Sequence, residues 1–171
     1  MVSAAEALAR FLQSTESFLT LVDGISDDSW STRPAGEEWS AAETVEHVIL
    51  TDRGTLRRLR DRAGATPVDG SARFPDARIV EQMFHGVPAP PGAAEPTGRF
   101  ATRAEAATAL IGVREGIAES VRSGADGLRT IGFPHPVFGI FDGVQWVLFL
   151  GAHTDNHIPQ LRRLRDASRL S

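Results

Sequence analysis

The stretch DGVQWVLFLGAHTDNHIPQLRRLRDA (Asp142–Ala167) reads as one long helix, and the rest of the fold follows from the partners it needs. Asp142 suits the N-cap, because its short carboxylate can accept from the unpaired N–H groups of a first turn. The helix is expected from about Gly143 to about Ala167. Trp146, Phe149, Leu150, Leu161 and Leu164 share one face at helical spacing, so that face points into a core. His153 and His157 lie on the same face. Pro159 leaves the carbonyl of Asp155 without its helical donor and predicts a bend beside the histidines.

Three other segments carry a comparable signal. Leu8, Phe11, Leu12, Thr15, Phe18, Leu19 and Val22 recur at spacings of three and four, predicting a first helix from about Ala4 to Val22 that Gly24 ends. After the turn-rich SWSTRPAGEEWS (Ser29–Ser40), Ser40 and Glu43 form a capping-box pair that opens a second helix at about Ala41. It carries Val45, Val48, Ile49, Leu56 and Leu59 inward and ends before Gly64. Arg57, Arg58, Arg60 and Arg62 read as its solvated face. Thr102 and Glu105 open a third helix in the same way, running to about Arg122, with Ser123, Gly124 and Gly127 after it.

Between the second and third helices lies a long connection, Gly64–Phe100, which holds six of the ten prolines. A connection of this length carries function or its own structure, and Ala77–His85 is expected as a short helix within it. The segment IGFPHPVFGIFDG (Ile131–Gly143) reads as turns. Four long helices with almost no strand signal predict an all-α protein: a four-helix bundle forming one domain over residues 1–171, with room for a crossover between the second and third helices. Its core should contain Phe11, Phe18, Val45, Ile49, Leu56, Trp146, Leu150 and Leu161.

Composition narrows the chemistry. Hydrophobic residues make up 42% of the chain, enough for a real core. The formal net charge of −4, from 18 basic and 22 acidic residues, argues against nucleic acid and against an anionic membrane surface as partner. The longest apolar run, VQWVLFLGA (Val144–Ala152), stops at His153, well short of the ~20 residues a membrane helix needs. The opening segment, MVSAAEALARFLQ, reads as a helix start and not as a signal peptide, so the cytoplasm is the expected location. Cysteine, tyrosine and lysine are absent, which excludes a thiolate nucleophile, a tyrosine acid and a lysine Schiff base.

His153 and His157, four residues apart, bring two imidazoles onto one inward face roughly 6 Å apart. Buried polar groups need partners, and one metal ion would serve both. Chance produces such a pair often enough that spacing alone leaves a metal site and two hydrogen-bonded core histidines as open alternatives. The run HTDNH has Thr154 where a zincin has its glutamate, so that mechanism is unavailable. His47, among Glu43, Thr44, Leu50 and Thr51, suits the rim of a cleft or the surface better than a dry core. His85 and His135 read as loop residues.

Together these segments resemble the DinB/YfiT superfamily of metalloenzymes over nearly the whole chain. The matching pieces are WSAAETVEH (Trp39–His47), HPVFG (His135–Gly139) and WVLFLGAHTDNHIPQL (Trp146–Leu161), in that order. The resemblance implies a four-helix bundle holding one divalent metal ion through His47, His153 and His157. His135 is then structural or pocket-lining and not a ligand. Some relatives are S-transferases using bacillithiol or an isomerase using mycothiol, so the resemblance also implies a low-molecular-weight thiol as a candidate cofactor. The metal could be zinc, nickel, iron or manganese.

Two readings of function follow. In the first, three histidines leave coordination positions open, as catalytic sites do, and the protein is a metal-dependent transferase or hydrolase acting on a small molecule. Glu43 and Asp155 could then orient ligands, or serve as a helix-start carboxylate and a solvent-facing aspartate. Arg73, Arg78 and Arg99 could meet an anionic substrate. In the second, the chain is a non-catalytic metal- or small-molecule-binding protein. A homodimer is expected from the long apolar helices and from the habits of the superfamily.

Overall fold

A computed structural model describes residues 1–33, 39–62, 64–68, 74–81, 92 and 94–168. Four long helices dominate it, and local capping chemistry sets their starts. Helix α1 (Ala4–Asp23) opens on Ser3, whose Oγ accepts from the N–H of Glu6, while the Glu6 carboxylate accepts from the N–H of Ser3 at 2.7 Å. A single helical turn, α2 (Asp27–Trp30), follows. Helix α3 (Ala41–Asp61) opens on the expected Ser40–Glu43 box and closes at Arg62, which takes the left-handed conformation. Helix α5 (Arg103–Gly124) opens on the Thr102–Glu105 box, and α6 runs from Gly143 to Ser168 through Pro159. Asp142 caps α6 as expected: its Oδ1 accepts from the N–H of Gln145 at 2.9 Å, and the Gln145 side chain accepts in return.

The long connection carries structure of its own, a two-residue strand β1 (Thr66–Pro67) and a short helix α4 (Asp76–Val80). That helix starts one residue earlier than expected, and the expected stretch from 82 to His85 lies outside the described residues.

The segment expected to be turns is instead an antiparallel hairpin, β2 (Ile131–His135) and β3 (Gly139–Asp142). With β1 it makes a three-stranded sheet in the order β1-β2-β3, with Phe133 opposite Phe141 and His135 opposite Gly139. Burial explains it. Phe133 and His135 point inward from β2 while Pro134 faces out, an alternation of period two that the flanking prolines obscure. Gly139, at φ 85°, begins the return strand in a conformation open to glycine at little cost. The molecule is therefore mostly helical, with a small sheet added to the expected helices.

Helix α1 packs along α6 and also meets α5, while α3 packs against α5 and α6. Phe11, Phe133, Phe141, Trp146 and Leu150 belong to one apolar cluster, and Phe18, Trp30, Val45, Ile49, Leu110 and Leu161 to another. Burying a side chain of this size contributes about 1.5–3 kcal/mol. Every residue expected in the core is buried except Leu56, which is half-buried against the first cluster. Arg58 departs from the solvated-face reading, because its guanidinium lies 4.7 Å from the centre of the Trp146 ring. No described helix is long and apolar enough to cross a membrane.

A polar network crosses the centre of this body. The Arg114 guanidinium of α5 donates to Asp52 of α3 at 2.7 Å, to Thr15 of α1 at 2.7 Å and to Thr154 of α6 at 2.6 Å. One charged group thus ties all four long helices together. Thr15 and Thr154 pass their own protons to the carbonyls of Phe11 and Leu150, one turn back in their helices.

Candidate metal centre

Every residue of α3 from Ala41 to Ile49 is buried, including Glu43, Thr44, Glu46 and His47. An amphipathic helix on a single core would leave one face wet. Here the other face is covered by residues 94–100. His47 therefore sits deeper than the cleft-rim or surface position its neighbours suggested, at 5% exposure. Trp39 lies against it, with ring centres 4.8 Å apart.

From the opposite side, α6 brings up His153 and His157. The three imidazoles converge: ring centres are 5.0 Å apart for His47 and His153, 5.1 Å for His47 and His157, and 4.8 Å for His153 and His157. One nitrogen from each lies within 4.8 Å of the others, an arrangement that could hold a metal ion. Two nitrogens bound to one tetrahedral ion at ~2.1 Å stand ~3.4 Å apart. His47 Nε2 and His153 Nε2, at 3.1 Å, are already near that spacing.

Hydrogen bonds around two of the rings set which nitrogen is left bare. His47 Nδ1 stands 2.8 Å from the carbonyl of Ala94, which can only accept, so Nδ1 carries the hydrogen and Nε2 the lone pair. His157 Nδ1 meets the Gln160 side-chain oxygen at 3.2 Å, with the same consequence. His153 differs, because its buried Nδ1 has no partner. Outer partners of this kind commonly orient metal-ligating histidines.

Electrostatics keep the rings neutral. Burial pushes the His47 pKa below its ordinary value, against the Ala94 bond, which favours the protonated form. Burial lowers His157 to about 4, with His47 adding to the effect and Gln160 opposing it. His153 falls well below the usual imidazole range through burial, reinforced by repulsion from His157, His47, Arg114 and His135. Three neutral imidazoles, two of them with a tautomer set by an outer partner, form a donor set that suits a divalent transition metal.

The nearby carboxylates are engaged elsewhere. Glu43 closes its capping box and pairs with Arg33, which holds its carboxyl at about 2 against the opposing effect of burial. It is the helix-start carboxylate of the two roles open to it. Asp155 accepts from Ser14 at 2.7 Å and is half-buried, so it neither faces solvent freely nor contacts a ligand ring. Among the described residues the metal-competent group is His47, His153 and His157, with no acidic residue joining it.

His135 stays out of the group. Its Nδ1 accepts from the N–H groups of Val137 and Phe138 at 3.2 and 3.3 Å, so it shapes the β2–β3 turn. Its ring packs among Phe138, Phe141, Trp146 and Phe149, and Phe149 stacks in turn on His153. It is structural, and burial lowers its pKa to about 4 with help from Arg58. Of the three arginines raised as substrate contacts, Arg99 approaches Glu46 at 3.8 Å, Arg78 lies on α4, and Arg73 falls outside the described residues.

Glu46 is the residue that sequence reasoning passed over. Its buried carboxylate accepts from the N–H groups of Thr97, Gly98 and Arg99 at 3.0, 2.7 and 3.1 Å, and from the Thr97 hydroxyl at 3.0 Å. Burial raises its pKa, but these hydrogen bonds outweigh burial and hold it below the ordinary value. The available signal was a carboxylate among Val45, Val48 and Ile49, where a solvated face alone does not account for it.

A four-helix body with a histidine from its second long helix and two from its last defines a class. Residues 10–161 match the family model of the DinB superfamily, and the chain belongs to that superfamily of metal-binding proteins. It is similar to YuaE, an uncharacterized protein of Bacillus subtilis (strain 168), at 27% identity over 143 residues covering 84% of this chain and 87% of the relative. No solved structure matches the chain significantly.

Proposed function

We propose that this protein is a metal-dependent enzyme that holds one divalent ion through His47, His153 and His157 and acts on a small molecule, as a thiol-dependent S-transferase or a hydrolase. The observation that carries this reading is the convergence of three imidazole nitrogens within 4.8 Å, with Ala94 and Gln160 fixing two of the rings from outside. His153 Nδ1, buried without a partner, fits the same reading, since such an atom costs stability that bound metal could offset. The donor set is nitrogen only, which favours zinc, nickel or iron over manganese.

Catalysis is preferred over storage because Glu43, Glu46 and Asp155 are each committed to other partners, so no described carboxylate closes the coordination sphere. A bound ion would acidify a water or a thiol entering the remaining positions. A free thiol cofactor would give a chain without cysteine access to sulfur chemistry. This chain's own residues hold His47 and His157 as the tautomers whose Nε2 is bare, while the Trp39 and Phe149 rings lie directly against His47 and His153.

The test is elemental analysis of the purified protein, followed by assays of thiol transfer to electrophiles and of ester and amide hydrolysis, before and after chelation. Metal near one equivalent and a turnover that chelation abolishes and metal restores are expected. Turnover indifferent to chelation would overturn the reading.

A further inference from the structure

The segment over α3 is pinned at two places and delivers one atom between them and its start. Trp30 Nε1 donates to the carbonyl of Phe100 at 2.9 Å, holding the far end. Glu46 collects three successive backbone N–H groups, of Thr97, Gly98 and Arg99, at its middle. Ala94, three residues earlier, presents its carbonyl to His47 Nδ1 at 2.8 Å. Ala94 sits at φ 53°, a left-handed conformation that costs a non-glycine residue ~1 kcal/mol and persists only where surroundings enforce it. Gly98 takes φ 74° just where the chain folds over the carboxylate. Glu46 and His47 are consecutive on one rigid helix, so the carboxylate that anchors the segment and the imidazole that reads its carbonyl share a frame.

We infer that Glu46 is a positioning residue for His47: by anchoring Thr97–Arg99 it sets the Ala94 carbonyl against His47 Nδ1 and so selects the tautomer whose Nε2 faces His153. The inference rests on the metal reading only for its effect on affinity. Its effect on the His47 tautomer holds in the metal-free protein. A carboxylate is suited to this work because it accepts several N–H bonds on one group. Glutamine keeps one accepting oxygen on the same stem, and alanine keeps none.

The experiment compares the full-length wild type, Glu46→Gln and Glu46→Ala. Nitrogen-15 imidazole spectra of the metal-free proteins read the tautomers, with His47→Gln used to assign the His47 signals, and titration with cobalt(II) alone reads affinity. Wild type and Glu46→Gln should show His47 with hydrogen on Nδ1. Glu46→Ala should show a mixed His47 population and an affinity lowered ~10-fold or more, as for other losses of an orienting partner. If Glu46→Ala does not fold, Glu46→Asp, one methylene too short to reach all three N–H groups, should show the same change in weaker form. A folded Glu46→Ala or Glu46→Asp protein with the wild-type tautomer overturns the inference. Failure of the wild type to bind cobalt would overturn the metal reading and leave the tautomer comparison standing.

Discussion

Two buried polar centres lie between the long helices, and they are built on opposite principles. In the first, Arg114 spends its donors on Asp52, Thr15 and Thr154, and both threonines pass their protons to backbone carbonyls. One oxygen of Asp52 is left over. Burial raises the Asp52 pKa despite the facing guanidinium. In the second, three imidazoles bring one nitrogen each within 4.8 Å of the others, and a buried nitrogen of His153 has no partner. In the first centre the chain supplies both the charge and its counter-charge, with a single carboxylate oxygen left over. The second gathers nitrogens that one metal ion could share. Buried polar groups in a folded protein are expected to be paired, and what sets the second centre apart is that three ligand-type nitrogens gather with no counter-charge among them.

The contrast can be broken most forcefully at the first centre. Asp52→Ala leaves a buried guanidinium without its counter-charge and should cost about 3–5 kcal/mol in chemical denaturation, whereas replacing both partners together with Asp52→Leu and Arg114→Met should cost far less. Acid should act through the neutral buried rings. His135 titrates at about 4 in the fold against an ordinary value of 6.5, so the unfolded chain binds the extra proton first as pH falls. Its contribution is therefore complete above pH 6.5 and lost as pH falls toward 4, on the order of 3 kcal/mol at most. Denaturation curves at pH 7 and 4.5 should show this loss in wild type and a smaller one in His135→Leu. A smaller effect is expected at the start of α3. Ser40→Ala removes the acceptor for the N–H of Glu43 and should cost about 1 kcal/mol, read as a modest fall in melting temperature. The smallest belongs to the second centre. His153→Leu in metal-free protein removes a buried nitrogen that nothing satisfies, and should change stability by less than ~1 kcal/mol in denaturant.

The long helices were legible because their signals are local. Ser40–Glu43 and Thr102–Glu105 announce two starts, Asp142 a third, and apolar spacing fixes the inward faces. The hairpin was not, because Pro134 interrupts and Pro136 follows a strand only five residues long, and its inward alternation depends on a core supplied by α6. The pairing of His153 with His157 follows from helical geometry alone. His47 joined them through family resemblance, since nothing local says that residues 94–100 will cover its helix. Glu46 was hard to read for the same reason: its partners are about fifty positions away and are mostly backbone N–H groups, which leave no mark on side-chain sequence.

A second centre that is a metal site must be made by all three rings together. Calorimetric titration of zinc into chelator-stripped protein tests it directly, with wild type beside His47→Ala, His153→Ala and His157→Ala, each first shown to be folded by its helical circular dichroism. One site per chain is expected in the wild type and at least a ~100-fold weaker one in every variant, from the loss of one of three ligands and not merely of an orienting neighbour. A wild type that takes up no zinc, or a folded His47→Ala protein that binds as tightly as the wild type, would contradict it.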